Sequence, residues 1–135
     1  MTIKEHSEKL NEAFNKMILD CRYDISRYIQ YLIQSKKLFG RRIVYISLPI
    51  TGIKENEIIA NITFAKMKIN AIGNIGVSSY KPNDTNKPYS YYMAKSIKLL
   101  LECDAIYLCK GWKKSKGCRA EYEVAKIYGK KIIKQ

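Results

Sequence analysis

One acidic side chain stands out by its placement. Between Gly117 and Lys130 the chain reads Gly-Cys-Arg-Ala-Glu-Tyr-Glu-Val-Ala-Lys-Ile-Tyr-Gly-Lys. On a helix turning about 100° per residue, Arg119, Glu123, Lys126 and Lys130 fall in an arc of roughly 60°, a stripe made for water. Cys118, Val124, Ala125 and Tyr128 lie on the other side. So does Glu121, roughly 170° from the middle of the stripe. A carboxylate on an apolar face is costly unless a partner satisfies it or it borders a cavity. Glu121 therefore has two readings: a buried acid held by a neighbouring hydroxyl or Lys, or a nucleophile or base in a partly dry pocket. Its position one turn into a helix that follows a strand favours the second, whereas Glu123 belongs to the solvent face. Just upstream, Ser115 reads as an N-cap, and Gly117 allows close approach to the first-turn amides, an anion seat. Five cations and no acid in Lys110–Arg119 reinforce that seat. Taken alone, Ser-x-Gly equally caps an ordinary helix.

The elements that position these residues follow from hydropathy. Arg42–Ser47 reads as a buried strand ending in Leu48-Pro49, and 56–72 as an apolar-rich helix closed by Gly73 and Gly76. Val77–Tyr80 is expected as a short strand and Lys81–Pro88 as a polar loop. Pro88 then seats the first turn of a helix running to about Cys103. Ala105–Cys109 reads as the third strand, Lys110–Lys116 as a loop, Gly117–Tyr128 as a helix and Lys131–Ile133 as a last strand. Such alternation predicts an α/β fold, a Rossmann- or flavodoxin-like three-layer domain with a parallel sheet of four to five strands over residues 41–135. Residues 1–40 form an N-terminal helical extension, with Leu10, Phe14, Met17, Cys21, Ile25, Tyr28 and Leu32 recurring at helical spacing. It covers one face of the domain or makes an oligomer contact. In parallel sheets ligands bind at the carboxyl ends of the strands, which gathers Ser47–Thr51, Tyr80–Pro88 and Lys110–Gly117 around one site.

Composition narrows the partners. The 135 residues are 47% apolar and 27% charged, one domain's worth of folding chain. No apolar run approaches the roughly 20 residues of a membrane span, and Met1–His6 lacks a signal peptide's apolar core. Cysteines 21, 103, 109 and 118 make no Cys-x-x-Cys pair and there is one His, so no metal site is expected. No cofactor is implied either. A reduced cytoplasmic setting follows, with the thiols acting as small hydrophobes. The net charge is +13, and residues 41–135 carry most of it, with eighteen Lys and Arg against seven Asp and Glu. That field favours anionic partners such as nucleotides or phosphate esters, unless it only reflects a Lys-rich composition throughout. No nucleic-acid-binding motif accompanies it, so nucleic acid is not the expected partner.

Several motifs occur together in a fixed order: Val44-Tyr-Ile-Ser-Leu-Pro-Ile-Thr-Gly52, Cys103-Asp-Ala-Ile-Tyr-Leu108, and Gly111-Trp-Lys-Lys-Ser-Lys-Gly117 followed by Glu121, Ala125, Gly129 and Lys130. Over about residues 42–133 the chain resembles the nucleoside 2-deoxyribosyltransferase-like superfamily. It is most similar to a branch, common in phages and bacteria, with a Gly-Trp-x-x-Ser-x-Gly-x-x-x-Glu signature. The resemblance implies that Glu121 attacks the anomeric carbon of a nucleoside or nucleotide and that Tyr45 orients it. Ser47, Leu48, Pro49, Ile50 and Gly52 would wrap the sugar. Ser115, with Gly117, would meet a 5′-phosphate. It also implies a homo-oligomer, dimer or larger. Non-catalytic nucleotide binding and cleavage of a dinucleotide such as NAD are the alternatives.

This chain departs from the pattern at three positions: Ser96 stands where some relatives have an Asp near the departing base, Thr51 where monophosphate hydrolases have an Arg, and Lys113 where the nearest branch has an acid. Asp104 is either a catalytic group or a helix-to-strand cap. Trp112 is a base-stacking lid or a subunit anchor, and Tyr89, Tyr91 and Tyr92 either stack on a base or pack.

Overall fold

The computed structural model describes residues 2–6, 8–9, 30, 33–34, 40–82 and 86–135. The helical extension expected over residues 1–40 thus lies for the most part outside the described residues; of it, 3–6, 8–9, 30 and 33–34 are helical. From residue 43 onward the order is β1 (Ile43–Ser47), α1 (Glu55–Ala71), β2 (Ile75–Val77), α2 (Tyr89–Leu101), β3 (Ala105–Leu108), a 3-10 turn (Trp112–Lys114), α3 (Lys116–Ile127) and β4 (Lys131–Lys134).

β1 is Ile-Val-Tyr-Ile-Ser and is buried at all five positions. A strand buried on both faces reads as one continuous apolar run, and its side chains still alternate. Ile43 and Tyr45 join Val77, Ile106 and Leu108 in a core closed by Leu99 and Leu100 of α2 and Ala125 of α3. Val44, Ile46 and Leu48 join Ala105, Tyr107 and Cys109 in a second core under Ile58, Ala65 and Ile69 of α1. The domain is therefore three-layered, with a four-stranded sheet between α1 and the α2–α3 pair.

The strands are all parallel, in the order β2-β1-β3-β4. Tyr45 lies beside Val77 on one flank and Ile106 on the other. From β1 the chain steps to β2 on one side, then crosses to β3 on the opposite side. The carboxyl ends of β1 and β3 are thus the point of strand-order reversal, the place where α/β proteins bind their ligands.

Two boundaries differ from the sequence reading, for identifiable reasons. β2 begins at Ile75, two residues ahead of the expected start, and Gly76 lies inside it rather than closing a helix. A Cβ on Gly76 would stand 3.0 Å from Cδ1 of Ile69 and 3.2 Å from Cδ1 of Ile46, so the glycine lets α1 settle directly on the sheet. The helix is stopped instead by Gly73, at φ 82°. Pro88 precedes α2 as its extended N-cap residue instead of entering the first turn. Among the described residues no helix is long and apolar enough to cross a membrane.

Candidate active site

Strand alternation sends Tyr45 and Ser47 toward the same side of the sheet, the side that α2 and α3 cover. α3 begins beside them. Its N-cap is Ser115, whose hydroxyl oxygen accepts from the Cys118 amide at 3.2 Å and satisfies one of the first-turn donors. Glu121 follows one turn later on the buried face, with only 5% of its surface exposed.

Both oxygens of that carboxylate have partners. The Tyr45 hydroxyl donates to Oε2. The Ser47 hydroxyl donates to Oε1 at 2.8 Å. Burial pushes the Glu121 carboxyl up from its ordinary 4.5 to about 7, and the Tyr45 and Ser47 hydrogen bonds pull the other way without cancelling it. Burial also holds the Tyr45 phenol well above its usual range, helped by the neighbouring Glu121 charge. At neutral pH the pair therefore comprises a phenol that keeps its proton and a carboxyl poised between its two forms, as a reactive acid needs to be.

The group extends beyond these three residues. The Tyr45 hydroxyl lies 3.4 Å from Ser79 Oγ, just past β2, and Ser79 Oγ lies 2.8 Å from Ser96 Oγ on α2. On the other side the Cys118 thiol has the Ser115 and Ser47 hydroxyls beside it, and burial raises its pKa. Burial and the neighbouring Cys118 push Cys109 up to about 12, so these buried thiols stay protonated.

Glu121, Tyr45, Ser47, Ser96 and Ser115 are thus brought into one network at the carboxyl end of β1, Ser96 through Ser79 and Ser115 through Cys118. Gly117 lets the start of α3 approach α2 closely, since a Cβ there would stand 3.2 Å from the Tyr89 hydroxyl and 3.6 Å from Met93 Sδ. Leu48, Pro49, Ile50 and Gly52 continue from the carboxyl end of β1. Leu48 points to the α1 side, because it is one residue out of phase with Ser47. Ile50 is exposed, and it opens a turn closed by the Ile53 amide on the Ile50 carbonyl, with Gly52 at φ 78°. Pro49 packs near Gly111.

Trp112 follows β3 in the 3-10 turn and is partly buried against the core that holds Tyr45 and Leu108. Its ring packs against Tyr122 at 4.9 Å between centroids, with the Lys113 and Lys134 ammonium groups each 5.9 Å from its centre. Tyr91 and Tyr92 contact each other edge to face, and the Tyr92 hydroxyl accepts from the Lys87 amide, which ties the preceding loop to α2.

Asp104 is not brought to the group at all. Its Oδ2 accepts from the Ile43 amide at 2.9 Å, while its own amide donates to the Ile43 carbonyl at 2.8 Å. It clamps the amino ends of β1 and β3, a strand's length from their carboxyl ends, so the cap reading describes where it sits.

Sequence reasoning did not single out Ser79 or Cys118 for this site. Parity was the signal for Ser79: it is two residues beyond Val77, which shares the Tyr45 side of the sheet. Cys118 reads in the sequence simply as an apolar position of the helix. Among the described residues no group of three His, Cys, Asp or Glu is placed to hold a metal ion.

Fold and site together define an open parallel α/β domain with a hydroxyl-bound, buried carboxylate at the point where strand order reverses. The chain belongs to the family described as a domain of unknown function, DUF4406, whose sequence model matches residues 42–134. No curated protein matches the chain.

Proposed function

We propose that the protein cleaves the N-glycosidic bond of a nucleoside or nucleotide through Glu121. The observation that carries this reading is the buried carboxylate with one hydroxyl on each oxygen, placed at the carboxyl end of β1, where strand order reverses. A covalent glycosidase needs little more at its centre than a carboxylate and a group that orients it. Glu121 attacks the anomeric carbon, the carbon–nitrogen bond breaks, and its electron pair leaves with the base. Water or a second base then attacks the same carbon and releases the carboxylate, giving net retention. When water attacks, its proton restores the departed base. The similarity to the nucleoside 2-deoxyribosyltransferase-like superfamily supports the same assignment of Glu121 and Tyr45.

Ser96 is paired with Ser79, so a neutral hydroxyl occupies the position where some relatives have an acid. Leaving groups that depart without strong protonation, or nucleotide binding without turnover, fit that arrangement. Ser115 and the first turn of α3 are the proposed seat for a 5′-phosphate. A homo-oligomer is supported by α1, which buries Ile58, Ala65 and Ile69 against the sheet while Ile59, Phe64 and Met67, turned away from it, remain exposed among its polar residues. The buried thiols Cys103, Cys109 and Cys118, which form no disulfide, suit a reducing, cytoplasmic setting.

The test is incubation with ribo- and deoxyribonucleosides, their monophosphates and NAD, followed by chromatography for released base. Release by the wild-type chain and loss of release in Glu121→Gln is the expected result. Absence of release from every compound, or release that persists in Glu121→Gln, overturns the reading.

A further inference from the structure

A hydroxyl carries one proton, and this sets the direction of the bonds around Glu121. With the carboxylate ionised, the Tyr45 proton goes to Oε2 and the Ser47 proton to Oε1. The Tyr45 oxygen is then only an acceptor, so in its contact with Ser79 the serine donates. Ser79 has no second proton, so in its 2.8 Å bond with Ser96 it is Ser96 that donates. Every proton along Ser96, Ser79 and Tyr45 points toward the carboxylate. If the carboxyl is protonated, the same chain reads outward: Glu121 donates to the Tyr45 oxygen, Tyr45 to Ser79, and Ser79 to Ser96.

We propose that Ser79, backed by Ser96, is a positioning residue that keeps the Tyr45 hydroxyl proton directed at Glu121 Oε2 and so keeps the carboxylate in its attacking form. This rests on the reading of Glu121 as the attacking group, but it concerns residues which that reading leaves without a role. The physical ground is the donor count together with burial. Glu121 and Tyr45 are 5% and 2% exposed, so water has little access to replace a lost hydroxyl on the phenol oxygen. Hydrogen bonds that point the same way along a chain polarise and strengthen one another, so a Ser79 proton on the phenol oxygen makes Tyr45 the better donor to Oε2. Without Ser79 both arrangements lose a bond on Tyr45, but the chain that ends on a charged carboxylate is the more strongly polarised one, so the ionised form loses more and the protonated form gains ground.

The titratable groups facing Glu121 among the described residues are the Tyr45 phenol from β1 and the Cys118 thiol from its own helix, both of which stay protonated near neutral pH. The serines from the β2 end and from α2 do not titrate. A shift in the Glu121 midpoint on altering those serines therefore reports hydrogen bonding and not the loss of a charge.

The experiment is a carbon NMR titration of the Glu121 side-chain carboxyl in the full chain, with no substrate present. Relative to wild type, Ser79→Ala is expected to raise the midpoint by about half a unit or more. Ser96→Ala is expected to raise it by less, and Ser79→Thr, which keeps the hydroxyl, to leave it near the wild-type value. An unchanged midpoint in Ser79→Ala, with Tyr45→Phe raising it, overturns the proposal, as does an equal rise in Ser79→Ala and Ser79→Thr. Because the readout needs no turnover, a nucleoside panel that shows no release leaves this result standing. Conversely, an immobile midpoint in Ser79→Ala leaves the glycosidase reading untouched. If a substrate is found, the acidic limb of its kcat/KM profile is expected to move with the midpoint.

Discussion

Asp104 and Glu121 are acids at opposite ends of the same sheet, and their donors separate them. At the amino end, Asp104 accepts from a backbone amide, that of Ile43, and its own amide returns a bond to the Ile43 carbonyl. Those groups are fixed by the strands, so the carboxylate acts as a rivet between β1 and β3. At the carboxyl end, Glu121 accepts from side-chain hydroxyls, those of Tyr45 and Ser47. Hydroxyls rotate and can accept as well as donate, so this carboxyl can change protonation state without breaking the fold. Strand-end geometry makes an acid structural in one place and leaves it chemically available in the other.

Glu121→Gln gives the largest expected effect on the comparison. Turnover of any glycosidic substrate falls by about a thousandfold or more, since the covalent step loses its attacking atom. Stability moves the opposite way. The folded carboxyl holds its proton up to about pH 7, whereas the unfolded one releases it near 4.5. Between those values the folded chain binds more protons, so stability declines as pH rises through the window and stays lowered above it. At roughly 1.4 kcal/mol per unit this cost is up to about 3 kcal/mol, and the amide variant escapes it. Urea unfolding at pH 5 and pH 8 checks this: the wild type weakens between the two, while Glu121→Gln changes less and is the more stable at pH 8.

Asp104→Ala is expected to show the reverse pattern. It leaves the amide of a buried strand residue without its acceptor and costs about 1–3 kcal/mol in denaturant unfolding. The Glu121 midpoint stays in place, because Asp104 sits at the amino end of β1 and β3 and Glu121 at their carboxyl end. A shift of that midpoint in Asp104→Ala would erase the distinction between the two ends. Gly117→Ala is the mildest change: the new Cβ meets the Tyr89 hydroxyl, the far end of an exposed side chain, at 3.2 Å. A stability change within about 1 kcal/mol is expected, the helix-propensity gain of alanine offsetting the contact. Substrate KM, which reads the crowded start of α3, is expected to rise more visibly.

The α3 face was legible in the sequence because four charged residues define its wet side and leave Glu121 opposite them. The parallel sheet was legible because β1 and β3 are continuous apolar runs separated by helical lengths. The edges of the site were harder to read. β2 is three residues of Ile-Gly-Val, and its central glycine marks a helix resting on the sheet, a contact with no local signature. Leu48 sits within the same motif as Ser47, but pleating turns it to the other core. Nothing in the spacing joins Tyr45 to Glu121: seventy-six positions separate them, and only the assembled sheet brings them together. Ser79 was hidden for the same reason.

The central claim is that the Glu121 carboxylate forms a bond to the anomeric carbon. Fluorine at the 2′ position destabilises the charge that builds on the sugar and slows both steps, which favours accumulation of a covalent intermediate. Mass spectrometry of the chain after incubation with 2′-fluoro nucleosides that carry good leaving groups reads that intermediate directly. The account predicts a mass increase equal to the fluorinated pentosyl group on the peptide bearing Glu121, and none in Glu121→Gln. Base release by the wild-type chain with the adduct on a different residue, or an adduct that persists in Glu121→Gln, would contradict it.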